Sequence, residues 1–134
     1  MSSLPIAEFA FPGPLRDRLV AAILSGEKTS TSSLLHEYEL DGDPVPSVGE
    51  RSAVVDSDGA VVTVIEVTGV AVVPLGEVDL QHALDEGEGY ASVDDWRAGH
   101  LRFWRSDAMR AELGDGFEVD DTTLVVLERF RLVV

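Results

Sequence analysis

The chain has no cysteine, which excludes a disulfide framework and a thiolate metal site and gives no pointer to secretion. It has no apolar run long enough to span a membrane. Its start, Met1-Ser2-Ser3-Leu4-Pro5, has neither a basic n-region nor a long apolar stretch. A cytoplasmic protein without a membrane partner is expected. Basic residues are scarce, 10 Lys and Arg against 25 Asp and Glu, giving a net charge of −15. A field of that sign repels nucleic-acid backbones and anionic lipid. It still allows one nucleotide or small ligand in a locally positive pocket, because salt screens surface charges beyond roughly 8 to 10 Å. Repeats, low-complexity tracts and long linkers are missing too. With 134 residues, 45% of them hydrophobic, a single domain over residues 1–134 with one real core is expected.

The apolar pattern then places the elements. From Pro14 to about Ser25, residues Leu15, Leu19, Val20, Ile23 and Leu24 recur at helical steps, with Pro14 at the first position and Gly26 as the stop. Thr29 to Ser33 reads as a strand extended by Leu34-Leu35 towards the loop Asp41-Gly42-Asp43-Pro44. Val45 to Glu50 reads as a turn leading into strand Arg51 to Val55. Asp56-Ser57-Asp58-Gly59 is a hairpin signal, and Ala60 to Val67 returns with alternating valines. Asp56 and Asp58 lack the remaining ligands of a calcium loop. Val70 to Val73 gives another strand, ended by Pro74. Asp79 caps a short helix to Asp85, with Leu80, Ala83 and Leu84 facing inward. Ser92 caps a longer helix from Val93 to about Ala108, and Thr122 to Val133 forms a central strand. The expected fold is α+β: five or six mostly antiparallel strands curling into a small β-barrel, with three surrounding helices.

Chemistry concentrates at Gly26-Glu27-Lys28-Thr29-Ser30-Thr31-Ser32-Ser33. Lys28 is the only lysine; the other nine basic residues are arginines. GC-rich codons produce that bias as well. Unlike arginine, a partly desolvated lysine is able to act as base or nucleophile. Thr31 lies three residues on, and the two converge only if Lys28 and Thr29 belong to a helix end or turn rather than to the strand. Glu86-Gly87-Glu88-Gly89 sets two carboxylates between glycines that allow close backbone approach. They make either a solvated loop or acid/base partners of Lys28. Val93, Trp96, His100, Phe103 and Trp104 form a helical stripe, read as core, in which His100 is either a packed histidine or a ring at a pocket edge. His36, His82 and His100 show no metal-ligand spacing, so no metal site is predicted.

These two stretches, together with Val45-Pro46-Ser47-Val48-Gly49-Glu50 and Trp96-Arg97-Ala98-Gly99-His100-Leu101-Arg102-Phe103-Trp104, resemble an ASCH-domain protein of the longer bacterial type. The resemblance runs from about Phe9 to Val133. It implies a PUA-like fold and a cleft, with no cofactor. The family is thought to act on or bind RNA and nucleotides, and one branch comprises amidohydrolases that remove the acetyl group from N4-acetylcytidine. By resemblance, Lys28 is the base, Thr31 the nucleophile, and Glu86 a carboxylate that orients or protonates the leaving amine. Thr29, Ser33, Glu88 and His100 fall at ligand-binding positions. The branch carries an arginine where this chain has Ser33, which takes one substrate contact away. The resemblance thus implies hydrolysis of a small N-acylated nucleoside. The alternative is a non-catalytic module binding a nucleotide or single-stranded RNA, and ribonuclease activity stands third.

Overall fold

The computed structural model describes residues 4–133. The expectations for the first three residues and for Val134 lie outside them. Helix α1 (Pro14–Ser25) starts and stops where the sequence places it: Pro14 supplies the preset φ of a first turn, and Gly26 closes the helix in the left-handed conformation at φ 85°. Strand β1 (Ile6–Ala7) precedes it, and β2 (Ser30–Leu34) follows.

Four differences from the predicted elements have local causes. The strand predicted over Thr29–Leu35 ends at Leu34, and helix α2 (Leu35–Asp41) begins directly. The Glu37 carboxylate accepts from the Leu34 N–H at 2.8 Å, and Gly42 ends the helix at φ 69°. Beyond strand β3 (Arg51–Val55), the two strands predicted at 60–67 and 70–73 are one strand, β4 (Val61–Pro74). A bulge between Val67 and Gly69 absorbs the break in pattern. Helix α3 (Leu80–Asp85) is capped by Asp79 as expected, but its inward face differs. Leu80 and Leu84 are exposed, while His82 and Ala83 are buried. The long helix divides into α4 (Val93–Trp104) and α5 (Asp107–Leu113), because the Ser106 hydroxyl accepts from the Met109 N–H and caps a second helix.

Five strands, closing with β5 (Leu124–Leu132), form one mixed sheet in the order β1-β3-β4-β5-β2. Among the described residues only the β1–β3 pair is parallel. The expected barrel is therefore corrected to an open sheet. Closure would need β1 to pair with β2, and β3, β4 and β5 stand between them. Among the described residues five α-helices, not three, accompany it.

Two apolar clusters hold the helices. Leu19, Val20 and Ile23 of α1 pack with Phe9, Val54, Ile65 and Phe130. Trp96, Leu101 and Trp104 of α4 pack with Leu34, Leu75, Ala83, Met109, Leu113 and Val125. At roughly 1.5–3 kcal/mol for each fully buried large apolar side chain, these clusters supply the main drive for folding. Lys28 is in reach of the first through the Phe9 ring, 6.0 Å from its centroid, and Glu86 of the second through Trp96. Among the described residues no helix is long and apolar enough to cross a membrane.

Candidate functional site

The site begins with the chain reversal after α1. Past Gly26, the Lys28 N–H donates to the Ala22 carbonyl at 3.0 Å, and Thr29 is pinned by bonds to Asp85 and Phe130 before β2 starts at Ser30. Lys28 thus lies outside the regular strand, and its side chain turns inward and is 2% exposed. On the other side, α3 ends at Glu86, which is 1% exposed. Gly87 (φ 67°) lets the following loop lie against the backbone of Glu27 and Lys28, where any β-carbon would collide with the Glu27 carbonyl. That contact is what brings Glu86 and Glu88 to Lys28.

The Lys28 ammonium meets oxygen acceptors only. It donates to the Ser30 carbonyl at 2.8 Å, the Glu86 carbonyl at 3.4 Å and Glu88 Oε2 at 3.4 Å, and stands 3.7 Å from Glu86 Oε1. The Glu86 carboxylate is saturated with donors. Oε2 accepts from the Trp96 indole at 2.6 Å and the Ser32 hydroxyl at 2.7 Å, with His82 Nε2 at 2.9 Å. His82 Nε2 also lies 2.7 Å from Ser32 Oγ. On the other oxygen, His100 Nε2 lies 3.0 Å from Oε1, while its Nδ1 bonds the Trp96 carbonyl at 2.9 Å and its ring stacks on Trp96 at 4.3 Å.

The two carboxylates are driven apart. Burial works to raise Glu86, but its bonds from His100 and His82 and the charge of Lys28 outweigh it and hold the group well below 4.5. For Glu88, burial and then the neighbouring Glu86 charge push the pKa up, against the pull of Lys28. The surroundings thus favour the anion at Glu86 and the protonated form at Glu88, a separation of the kind that acid/base sites use. Glu88 is also the one in contact with open space. It lines a cavity of about 450 Å³ with Gly87, Gly89 and Tyr90 on its own loop and Leu15, Arg18, Leu19 and Ala22 on α1.

Of the residues singled out in the sequence, the structure brings Lys28, Glu86, Glu88 and His100 together. Thr31, Thr29 and Ser33 lie elsewhere. Strand alternation puts Ser30 and Ser32 on the Glu86 side and Thr31 with Ser33 on the other. The Ser33 hydroxyl pairs with Tyr38 at 3.1 Å, Thr29 bonds the Asp85 carbonyl, and the Thr31 side chain makes no hydrogen bond among the described residues. The hydroxyl beside Glu86 belongs to Ser32. It was missed along with His82 and Tyr90, although His82 sits four residues before Glu86 and so on the same helical face. Glu86, Glu88 and His100 each bring one ligand atom within 4.8 Å of the others, the spacing of a small cation site. Lys28 Nζ stands beside both carboxylates and supplies the positive charge itself.

With this geometry in view, the relatives are informative. A solved ASCH domain from Lactobacillus crispatus JV V101 superposes with a TM-score of 0.84 at 31% identity, over 98% of this chain and 80% of that one. Protein EF3133 from Enterococcus faecalis V583, assigned to the DUF984 family, superposes with a TM-score of 0.75 at 26% identity, over 87% of this chain and 67% of that one. No curated protein matches. The family model of the ASCH domain matches residues 8–134, so the chain belongs to the ASCH domain family.

Proposed function

We propose that the cavity beside Glu88 binds a small N-acylated nucleoside, of the N4-acetylcytidine kind, and hydrolyses its amide. The observation that carries this is the split pair: Glu88, with its pKa raised, faces the cavity, and Glu86 and Lys28 are locked behind it. Glu88 takes a proton from a water molecule as the water oxygen attacks the acyl carbon. It then returns that proton to the leaving nitrogen as the C–N bond breaks, releasing a carboxylic acid and the free amine. The N–H groups of Gly89 and Tyr90, two residues that line the cavity, bond nothing among the described residues, and in this reading they donate to the carbonyl oxygen as it becomes an oxyanion. Lys28 keeps Glu88 in place and neutralises it after each proton release. Glu86, fully bonded, positions Lys28.

In this reading water replaces Thr31 as the nucleophile. Incubating the protein with N4-acetylcytidine and following release of cytidine tests it. Glu88→Gln should lower turnover by about 10²-fold or more, and Thr31→Val should leave it near wild type. Loss of activity in Thr31→Val with activity kept in Glu88→Gln would return the nucleophile role to the threonine.

A second reading is binding without turnover. ASCH domains are thought to bind RNA, and the same cavity suits a nucleotide. The net charge of −15 opposes a polyanion, so RNA affinity should be weak and fall steeply with salt.

A further inference from the structure

The cavity has a second chemical end. In this acidic chain most arginines are already engaged. Arg51 and Arg131 pair with Glu66, Arg97 with Asp121 and Arg129 with Asp85, while Arg16 and Arg105 bond main-chain carbonyls. Arg18, Arg102 and Arg110 form no ion pair or hydrogen bond among the described residues. One of these three lines the cavity, and a second acts on Tyr90, which also lines it. Arg18 lines it directly from α1. Arg102 lies on α4, three residues and so one turn beyond Gly99, on the face where the Tyr90 hydroxyl packs closely against the Gly99 backbone. Both guanidinium groups act on Tyr90, opposing the burial and the carboxylates that push its hydroxyl up to about 12.

The position of this positive end relative to Glu88 follows from α1. The Ala22 end of the helix adjoins Lys28, through the bond from the Lys28 N–H to the Ala22 carbonyl. Arg18 stands four residues earlier, which is about 6 Å along the axis. Along α1 the cavity therefore runs from the acid/base end at Glu88, past Ala22 and the apolar Leu19, to the exposed guanidinium of Arg18, with Leu15 beyond it. Although the chain has 25 acidic residues, none of them pairs with Arg18 or Arg102 among the described residues, so both exposed guanidinium groups are open to an anion from solution. The planar fork of arginine matches a phosphate in geometry and in charge.

The geometry points to a phosphate subsite formed by Arg18 at the cavity rim with Arg102 beside Tyr90, so that the preferred ligand is the monophosphate of the N-acylated nucleoside. A polynucleotide is the less suitable anion, because a cavity of about 450 Å³ has room for one small ligand rather than a strand and the charge of −15 repels the rest of the strand. The inference rests on the cavity being the ligand site proposed above.

Calorimetric titration of the full chain with N4-acetylcytidine, its 5′-monophosphate, inorganic phosphate and a short single-stranded RNA tests it, with hydrolysis of the first two followed in parallel. The monophosphate should bind at least ~10-fold tighter than the nucleoside at low salt, with the gap narrowing as salt rises. In the double variant Arg18→Gln, Arg102→Gln the ratio of the two affinities should fall towards one. In Arg110→Gln, an exposed and equally unpaired arginine off the cavity wall, the ratio should stay as in wild type. Equal binding of nucleoside and monophosphate by the wild type, or a gap that survives the double variant, overturns the subsite and leaves hydrolysis standing. Tight binding of the monophosphate without turnover keeps the subsite and removes hydrolysis. Inorganic phosphate binding as tightly as the monophosphate overturns the nucleotide assignment, and tighter binding of the RNA replaces it with a strand. Failure of every ligand to bind overturns both.

Discussion

Lys28 and Glu86 are 2% and 1% exposed, and burying each charge costs several kcal/mol that mutual attraction and hydrogen bonds must offset. Here every partner is present, so the cost falls due only when one is removed. Lys28→Met leaves two carboxylates facing each other without a counter-charge and is expected to cost about 3–5 kcal/mol of stability, read from urea unfolding, with loss of turnover. The carboxylates give the pH dependence. Glu86 is held below 4.5 in the fold by His100, His82 and Lys28 against its burial. Its contribution is therefore complete above 4.5 and is lost as pH falls through the lower folded value. Glu88 is raised above 4.5, by burial first. Its contribution is largest below 4.5 and is lost as pH rises through the folded value. Melting temperatures measured from about pH 2 to pH 8 should accordingly show a shallower acid limb in Glu86→Gln. Glu88→Gln should leave neutral-pH stability unchanged or higher while abolishing hydrolysis, the trade expected of a group kept for chemistry. A clear loss of neutral-pH stability in Glu88→Gln would mark it as structural.

At the scale of elements, the site depends on one contact between loops. Gly87 has φ 67° and no room for a β-carbon against the Glu27 carbonyl and the Lys28 amide, both of them backbone. Gly87→Ala therefore has to move the loop, and about 1–3 kcal/mol is the usual cost of such backbone strain. The expected signature is turnover lost more completely than stability, because a small displacement takes Glu88 from Lys28. Ser92→Ala, which removes the α4 cap, should cost about 1 kcal/mol and leave the site chemistry in place. The elements also show how far the sequence reaches. α1, β3 and the Asp79 and Ser92 caps were legible because proline, glycine and capping residues act within one turn. α2 was not: Leu34-Leu35 continues a strand pattern, and only Glu37 and Gly42 mark the change. The barrel failed because closure depends on which strands end at the sheet edges, and no local pattern records that. The Lys28–Glu86 pairing was reached through the family resemblance. Spacing let Thr31 meet Lys28 only if Lys28 and Thr29 lay outside the strand; they do, yet strand alternation turns Thr31 to the other face, and the Ser32 and His82 contacts depend on a fold that joins residues 50 apart.

For the whole molecule, net charge sets the response to salt. A charge of −15 on 134 residues makes the compact state repel itself, and at low ionic strength that repulsion reaches across the protein, since the screening length is about 30 Å at 0.01 M. At 0.15 M it shrinks to about 8 Å, and most pairs of distant carboxylates no longer sense each other. The surface pairs Arg97–Asp121, Arg129–Asp85 and Arg131–Glu66 weaken over the same range, but exposed pairs of this kind contribute only about 0–1 kcal/mol each. The Lys28 cluster weakens little, because it is shielded from salt by burial. Repulsion among many acids therefore outweighs a few exposed attractions, and the melting temperature should rise when sodium chloride is raised from about 0.01 to 0.15 M. A fall would mean that the surface ion pairs dominate. Nucleotide binding at the Arg18 and Arg102 rim should move the opposite way over the same titration, since there the salt screens an attraction. Opposite salt slopes for folding and for binding are what a self-repelling acidic fold with one positive rim requires.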